Sequence, residues 1–165
     1  MRVGHPAGRA ARTGAGGRRA RCDLDPAALE GARANLAAAG LAGTALARMD
    51  ATRLALGDGQ FEVLLADLPY GHRMGSHEAN AALYPAVLEE AARVAVPGAA
   101  FLALTHDLRL FERCLEPTGR WWQAERAVQV FQKGHHPVMH LLRRRPGSAP
   151  PGEAEPGRRG RTPAG

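Results

Sequence analysis

The 165-residue sequence predicts an α/β fold, a sheet whose strands alternate with helices. Apolar runs of strand length alternate with segments of helical periodicity, and three aspartates, Asp23, Asp50 and Asp67, each follow a predicted strand. Ligands of α/β sheets bind at the carboxyl ends of the strands. The three carboxylates are therefore expected to converge on one crevice, and the length leaves room for one domain.

The first half of the domain reads as a helix followed by two strands. Asp25-Pro26 is an N-cap with proline at the first helical position, and Gly40 ends the helix. A short strand is expected near residues 44–47. The apolar run at 61–66 predicts a buried strand that ends before Pro69.

The second half predicts a long helix, a buried strand, a short helix and an antiparallel strand pair. Pro97-Gly98 is expected to turn the chain between the long helix and the buried strand. The expected ranges are 80–94, 99–104, 107–115, 121–131 and 137–143.

Charge is distributed unevenly over a chain whose net charge is +6. Residues 22–142 carry ten basic and fourteen acidic side chains, so the basic excess lies in the flanks. Residues 1–20 are expected to be a disordered basic arm and 145–165 a disordered Pro/Gly/Arg tail, because neither can bury enough apolar surface to offset its ordering entropy. The domain is expected at 21–144.

Several protein classes are disfavoured by composition. Cys22 and Cys114 fit neither a disulfide framework nor a zinc motif, and no metal site is predicted, because a hairpin turn explains His135-His136. No apolar run reaches membrane-spanning length, and the N-terminus has no apolar signal core. The expectation is a cytoplasmic protein without a membrane partner.

The strongest chemical signal is Asp67-Leu68-Pro69-Tyr70-Gly71 after the buried strand. The lone pair of an exocyclic nucleobase amine is delocalised into the ring, so the amine must be oriented before it can attack a methyl sulfonium. The Asp67 carboxylate and the Leu68 carbonyl could accept its N–H groups, with Pro69 fixing the backbone and Tyr70 stacking on the base. A simple strand-ending turn explains the same five residues equally well.

A longer stretch around this motif resembles a known catalytic loop. Residues 66–77 are similar to that loop in the THUMP-associated RNA methyltransferases, which use S-adenosylmethionine to methylate the exocyclic N2 of guanine in tRNA. Leu83-Tyr84-Pro85 and the segments after it continue the match, which covers about residues 22–143. The resemblance implies a Rossmann-like class I methyltransferase sheet, S-adenosylmethionine as cofactor and RNA, tRNA in particular, as partner.

The resemblance also implies residue roles. The catalytic residues would be Asp67, Leu68, Pro69 and Tyr70. Asp23 would bind the ribose hydroxyls, Leu24 would pack on the adenine, and Asp50 with Ala51 would reach the adenine amine; Asp67 also belongs to the cofactor-binding set. The residues facing RNA would be His72, Arg73 and His77.

The N-terminus departs from the family pattern. The family has a first strand ending in an acidic, Gly-rich loop that cradles the methionine part of the cofactor. The only candidate here, Gly14-Ala15-Gly16-Gly17, ends six residues before Asp23, which leaves no room for the following helix and strand. The sequence thus predicts a truncated methyltransferase in which 21–144 is the C-terminal part of the domain and the first strand and Gly-rich loop are lacking.

Three alternatives stay open on the sequence. The shared loop chemistry also suits methylation of adenine N6 in DNA or of a protein glutamine amide. A catalytically inactive module that binds RNA or a partner protein is the non-enzyme alternative.

Overall fold

A computed structural model of the protein describes residues 9–12, 19–41, 43–69, 77–131 and 136–152, with only the backbone described for 9–12 and His77. Within these ranges the chain forms seven strands and three helices. In chain order they are β1 Arg9–Arg12, β2 Arg19–Asp23, α1 Pro26–Ala38, β3 Thr44–Arg48, β4 Phe61–Asp67, α2 His77–Val94, β5 Ala95–Thr105, α3 Leu108–Thr118, β6 Trp122–Gln129 and β7 Val138–Arg144.

The strands form one sheet in the order β3-β2-β1-β4-β5-β7-β6. β2 pairs in parallel with β3, and β4 pairs in parallel with β5, whereas β7 runs antiparallel to both β5 and β6. The predicted Rossmann-like α/β class is confirmed. Because β2 and β4 end at Asp23 and Asp67, both carboxylates lie at the carboxyl edge of the sheet.

The central strand β1 differs from the sequence-based expectation of a disordered arm over residues 1–20. Arg9–Arg12 pairs antiparallel with both β2 and β4. Its composition, Arg-Ala-Ala-Arg, has no apolar alternation, so the pattern did not indicate a strand. Without β1 the facing edges of β2 and β4 would leave backbone N–H and C=O groups unpaired, which is costly in a sheet interior.

The direction of β1 determines where its ends lie. Arg9 is opposite Cys22, near the carboxyl end of β2, and Arg12 is opposite Arg19, at its start. Arg12 and Arg19 flank residues 13–18, which lie outside the described ranges. Both flanking residues are thus at the edge of the sheet opposite Asp23 and Asp67.

The first helix begins and ends where the sequence predicts. The Asp25 side chain accepts the N–H of Ala27, Pro26 occupies the first turn, and Gly40 after the helix has a φ of 67° that glycine adopts without a steric cost. The other helices α2 and α3 pack on each other. Their buried faces contribute Tyr84, Leu88 and Phe111 to the main core.

Strand β5 and the segment after β7 are longer ordered elements than predicted. Pro97-Gly98 was expected to turn the chain before this strand. It lies within β5 instead, and Gly98 has a φ of 80°. Arg145, Ser148 and Ala149, which belong to the expected disordered tail, are hydrogen-bonded to the domain. The Trp121 indole donates to the carbonyl of Ala149 at 3.1 Å, and the buried Arg144 guanidinium donates to that of Ser148 at 3.1 Å.

None of the helices in the described part of the chain is long and apolar enough to cross a membrane.

Candidate active site at the carboxyl ends of the strands

A cavity of about 310 Å³ opens at the carboxyl edge of the sheet. Its volume is at the lower end of the range for small-molecule sites. It is lined by the last residues of β2 and β4, by residues that follow β2, β3 and β4, and by two side chains of α2. The lining residues are Cys22, Asp23, Leu24, Asp25, Met49, Asp50, Ala51, Ala66, Asp67, Leu68, Pro69, Leu83 and Val87.

Asp23 presents one engaged and one unengaged oxygen. Asp23 is buried, with 8% of its surface exposed. Its Oδ1 accepts the backbone N–H of Asp25 at 2.9 Å. Oδ2 is buried and has no hydrogen-bond partner among the described residues. A buried carboxylate oxygen without a donor is costly, so a donor supplied by a ligand would satisfy it. A ribose hydroxyl pair, which binds acidic residues at this position of α/β folds, has the chemistry that fits.

The adjacent residues suit a flat apolar group. Leu24 is 55% exposed although it lines the cavity, so its side chain offers an apolar surface to a ligand. Asp50 Oδ1 accepts the backbone N–H and the hydroxyl of Thr52, both at 2.8 Å, which fixes the turn that carries Ala51. The structure therefore brings together the four residues expected to hold adenosine.

The Asp67-Leu68-Pro69 segment continues directly from β4. Asp67 pairs with Leu104 in the parallel ladder, and the Leu68 N–H donates to the Leu104 carbonyl at 2.8 Å. Leu68 is 4% exposed, which anchors the segment in the core. Asp67 and Pro69 line the same cavity as Asp23, as the sequence predicts.

Tyr84 and Thr105 support this segment from behind the cavity lining, and neither of them was assigned a role from the sequence. The Tyr84 hydroxyl lies 2.7 Å from the Pro69 carbonyl oxygen and 3.0 Å from Thr105 Oγ1. Burial raises the pKa of the Tyr84 phenol above its ordinary value, so the group is a protonated donor at neutral pH. Tyr84 and Thr105 are 21 positions apart, so no local pattern could pair them.

The apolar side of the cavity was also not predicted from the sequence. Leu83 and Val87, four residues apart on α2, line the cavity beside Met49 and Cys22. The spacing of Leu83 and Val87 predicts that they share a helix face, but not that this face lines a cavity. Which face of α2 would meet the cavity depends on tertiary packing.

Three residues of the predicted site lie outside the described ranges: Tyr70, His72 and Arg73. His77 is the first residue of α2, and only its backbone is described. Their roles stay predictions. Among the described residues, no three His, Cys, Asp or Glu side chains are grouped closely enough to hold a metal ion.

The sheet order, the acidic residues after β2 and β4, and the cavity between them define the class I methyltransferase fold. A family model described as RMKL-like, methyltransferase domain matches residues 13–138, and the chain belongs to that family.

Two sequence relatives are named tRNA (guanine(6)-N(2))-methyltransferase THUMP3. The protein of Bos taurus is 38% identical over 100 residues, which cover 60% of this chain and 20% of the relative. The protein of Homo sapiens is 37% identical over 99 residues, 59% of this chain and 19% of the relative. The chain thus spans about a fifth of the length of these curated relatives.

Solved structures give the same fold. TrmN from Thermus thermophilus is 29% identical with a TM-score of 0.64, covering 74% of this chain and 35% of that one. The N-methyltransferase NodS from Bradyrhizobium japonicum WM9, in complex with S-adenosyl-L-homocysteine, has a TM-score of 0.59. NodS is 11% identical and covers 77% of this chain and 66% of its own, a likeness that concerns the fold alone.

Proposed function

We propose that this chain takes part in S-adenosylmethionine-dependent methylation of the exocyclic N2 of guanine in tRNA. The single observation that carries the proposal is that Asp67 and Pro69 line one cavity with Asp23, whose Oδ2 has no partner in the described protein. The names of the relatives that are 37% and 38% identical support guanine N2 as the target.

The residues around Asp23 would hold the adenosine part of the cofactor. Asp23 would accept the ribose hydroxyls, Leu24 would cover the adenine face, and the turn of Asp50 and Ala51 would meet the adenine amine. S-adenosylmethionine supplies an electrophilic methyl group when it is bound.

Asp67 and Leu68 would orient the nucleophile. The Asp67 carboxylate and the Leu68 carbonyl would accept the two N–H groups of the guanine amine, which takes the nitrogen lone pair out of conjugation with the ring and points it at the methyl group. Tyr70 supplies a ring on which the base stacks. In this proposal catalysis consists of orientation and electrostatic stabilisation of the reacting groups.

RNA is the macromolecular partner in this proposal. His72, Arg73 and His77 follow the catalytic segment in sequence and would contact RNA. Cytoplasmic location and association with a THUMP domain also belong to the proposal.

An exposed aromatic ring supports an RNA-facing edge. Phe131 is 75% exposed and follows the end of β6. The last residue of β6, Gln129, pairs with Val138 of β7, which in turn pairs with Thr105 at the carboxyl end of β5. Phe131 is therefore on the same edge of the sheet as Asp67, and exposed rings stack on unpaired bases.

The test is methyl transfer from labelled S-adenosylmethionine to tRNA, followed by nucleoside analysis. We expect N2-methylguanosine from the unmodified protein, formed at a rate about 10²-fold or more higher than in Asp67→Ala. Duplex DNA and a glutamine-containing peptide are the competing acceptors, and label in either of them instead of tRNA would contradict the proposal.

A catalytically inactive RNA-binding module is the second candidate, and the direction of β1 favours it. Arg12 and Arg19, which flank the Gly14–Gly17 stretch, lie at the edge of the sheet away from Asp23. Calorimetric titration separates the two candidates. An S-adenosylmethionine affinity no better than that of adenosine supports the inactive module, whereas a clear preference for the full cofactor supports the enzyme.

A further inference from the structure

The hydroxyl of Tyr84 connects helix α2 to the catalytic segment. Tyr84 is fully buried at 0% exposure, and its ring packs edge-on against Phe111 at 6.2 Å. Its hydroxyl lies between the Pro69 carbonyl and the hydroxyl of Thr105, the last residue of β5, which is also at 0% exposure. Thr105 Oγ1 in turn accepts the backbone N–H of Asp107 at 3.0 Å.

Chemistry fixes the direction of each hydrogen bond in this chain. A carbonyl oxygen only accepts, so the single phenolic proton of Tyr84 is donated to Pro69. The Thr105 hydroxyl must then donate to Tyr84 Oη, and it accepts from the Asp107 N–H. Hydrogen bonds that point the same way strengthen one another. The hydrogen bonds from Asp107 to Thr105 and from Thr105 to Tyr84 therefore strengthen the one that Tyr84 donates to the Pro69 carbonyl.

The Leu68 carbonyl lies between two anchored groups. The Leu68 N–H before it is bound to the Leu104 carbonyl at 2.8 Å, and the Pro69 carbonyl after it is bound to Tyr84 at 2.7 Å. The pyrrolidine ring of Pro69 fixes the intervening φ. The orientation of the Leu68 carbonyl is therefore set from both sides.

We infer that Tyr84 is a positioning residue whose hydroxyl, held by Thr105, fixes the Pro69 carbonyl and thereby aims the amine-accepting oxygen of Leu68. The consequence for the rate of methyl transfer rests on the proposed function, whereas the positioning itself does not. A merely structural Tyr84 would satisfy a buried carbonyl and affect stability without affecting the reaction geometry.

The test uses variants that preserve volume. Tyr84→Phe keeps the buried ring and removes the donor, and Thr105→Val keeps the side-chain shape and removes the hydroxyl that supports Tyr84. Thr105→Ser restores a hydroxyl. Thr118→Val is the matched control, because the buried Thr118 hydroxyl donates to the Cys114 and Leu115 carbonyls inside α3 instead of to the catalytic segment.

The first readout is the ¹³C carbonyl resonance of Pro69 in the protein without substrate. We expect it to move to higher field in Tyr84→Phe and, by a smaller amount, in Thr105→Val, and to return in Thr105→Ser. The carbonyl of Leu88, which accepts the Trp122 indole N–H at 2.9 Å, is the internal reference. An unmoved Pro69 resonance in folded Tyr84→Phe would overturn the inference.

The second readout is the single-turnover rate of methyl transfer to tRNA. We expect Tyr84→Phe to be slower by about tenfold, with tRNA and cofactor affinities within about twofold of the unmodified protein, as for loss of one hydrogen bond that acts on orientation. Thr118→Val should match the unmodified rate. A Tyr84→Phe protein that reacts at the normal rate, or loses rate only through weaker cofactor binding, would contradict the positioning role. If the unmodified protein methylates no tRNA, the proposed function fails and the Pro69 resonance alone decides the positioning.

Discussion

Glu90 and Arg93, three residues apart on α2, form a two-point ion pair that joins the helix to the connection before β4. Arg93 Nη2 lies 2.7 Å from Glu90 Oε1, and Arg93 Nε lies 2.9 Å from Oε2. Glu90 Oε1 also accepts the Leu54 N–H at 2.6 Å, and Arg93 donates to the carbonyls of Leu54 and Leu56 and to the Asp58 carboxylate. Bonding to Glu90 raises the pKa of Arg93 above its ordinary value, so the Arg93 guanidinium stays charged.

Replacement of Arg93 by methionine should destabilise the fold by about 2–3 kcal/mol, because a largely buried Glu90 would lose its cation. Arg33→Met is the matched control: Arg33 pairs with Glu30 at the same i,i+3 spacing, but both side chains are exposed, and the cost should be below about 1 kcal/mol. Urea unfolding measures both. Equal losses in the free energy of unfolding for the two variants would show that the burial of Glu90 does not strengthen its ion pair.

Replacement of Asp23 by asparagine should weaken adenosine binding about tenfold or more, the worth of one hydrogen bond to a charged group. The amide keeps an acceptor for the Asp25 N–H but cannot accept a second donor at the other position. Glu30→Gln, which removes an exposed carboxylate from α1, is the control. Isothermal titration with adenosine is the measurement, and unchanged affinity in Asp23→Asn would remove Asp23 from the ligand site.

Replacement of Asp67 by alanine should lower the single-turnover rate of tRNA methylation by about 10² or more while changing cofactor affinity only modestly. The reason is that the carboxylate is proposed to act on the oriented amine in the transition state. A near-normal rate would reduce Asp67-Leu68-Pro69 to a strand-ending turn.

Tyr70 should behave differently from Asp67, because stacking holds the base in the ground and transition states alike. Tyr70→Ala should weaken tRNA binding by about 1–3 kcal/mol, the worth of one stacked base, and Tyr70→Phe should have little effect. Equilibrium binding of tRNA tests the pair of variants. Equal losses in both would assign the effect to the hydroxyl and not to the ring.

The stability of the fold should decrease in acid partly through His140. Burial lowers the pKa of His140 below its ordinary value, its Nε2 has no partner among the described residues, and its ring lies 4.5 Å from that of Phe111. As the pH falls, His140 is therefore protonated at a higher pH in the unfolded chain than in the folded protein. The contribution of His140 is fully present above about pH 6.5, the ordinary pKa of histidine, and is lost as the pH falls below that value.

His140→Leu tests this dependence, because leucine cannot titrate. Urea unfolding at pH 7.5 and pH 5.5 should show a smaller loss of stability in the variant than in the unmodified protein. A loss of the same size in both would assign the acid sensitivity to other groups.

The elements predicted from sequence are those with a local cause. The Asp25 cap and Gly40 delimit α1 without reference to the rest of the chain, and the apolar run of β4 lies within one residue of its predicted bounds. The three aspartates at or just after strand ends could be predicted for the same reason, because local turn signals mark where each strand ends. Asp23, Asp50 and Asp67 accordingly line the predicted cavity.

The elements that were missed depend on partners distant in sequence. β1 has no apolar pattern and exists as a strand through its hydrogen bonds to β2 and β4. Ser148 and Ala149 are held by Trp121 and Arg144, whose buried polar groups need acceptors. Tyr84 reaches Pro69 and Thr105 through the tertiary placement of α2, which periodicity alone does not specify.

The reversed strand β1 also divides the sheet into two pieces, β3-β2 on one side and β4-β5-β7-β6 on the other, with β1 as the seam between them. In the described sheet, β2 and β4 each bond to β1 and not to each other, so four residues set the spacing between the piece that carries Asp23 and the piece that carries Asp67. A ligand that touches both carboxylates would span this seam. Fraying of β1 and release of the ligand would then be coupled, and amide exchange of Arg9–Arg12 would slow whenever the cavity is filled.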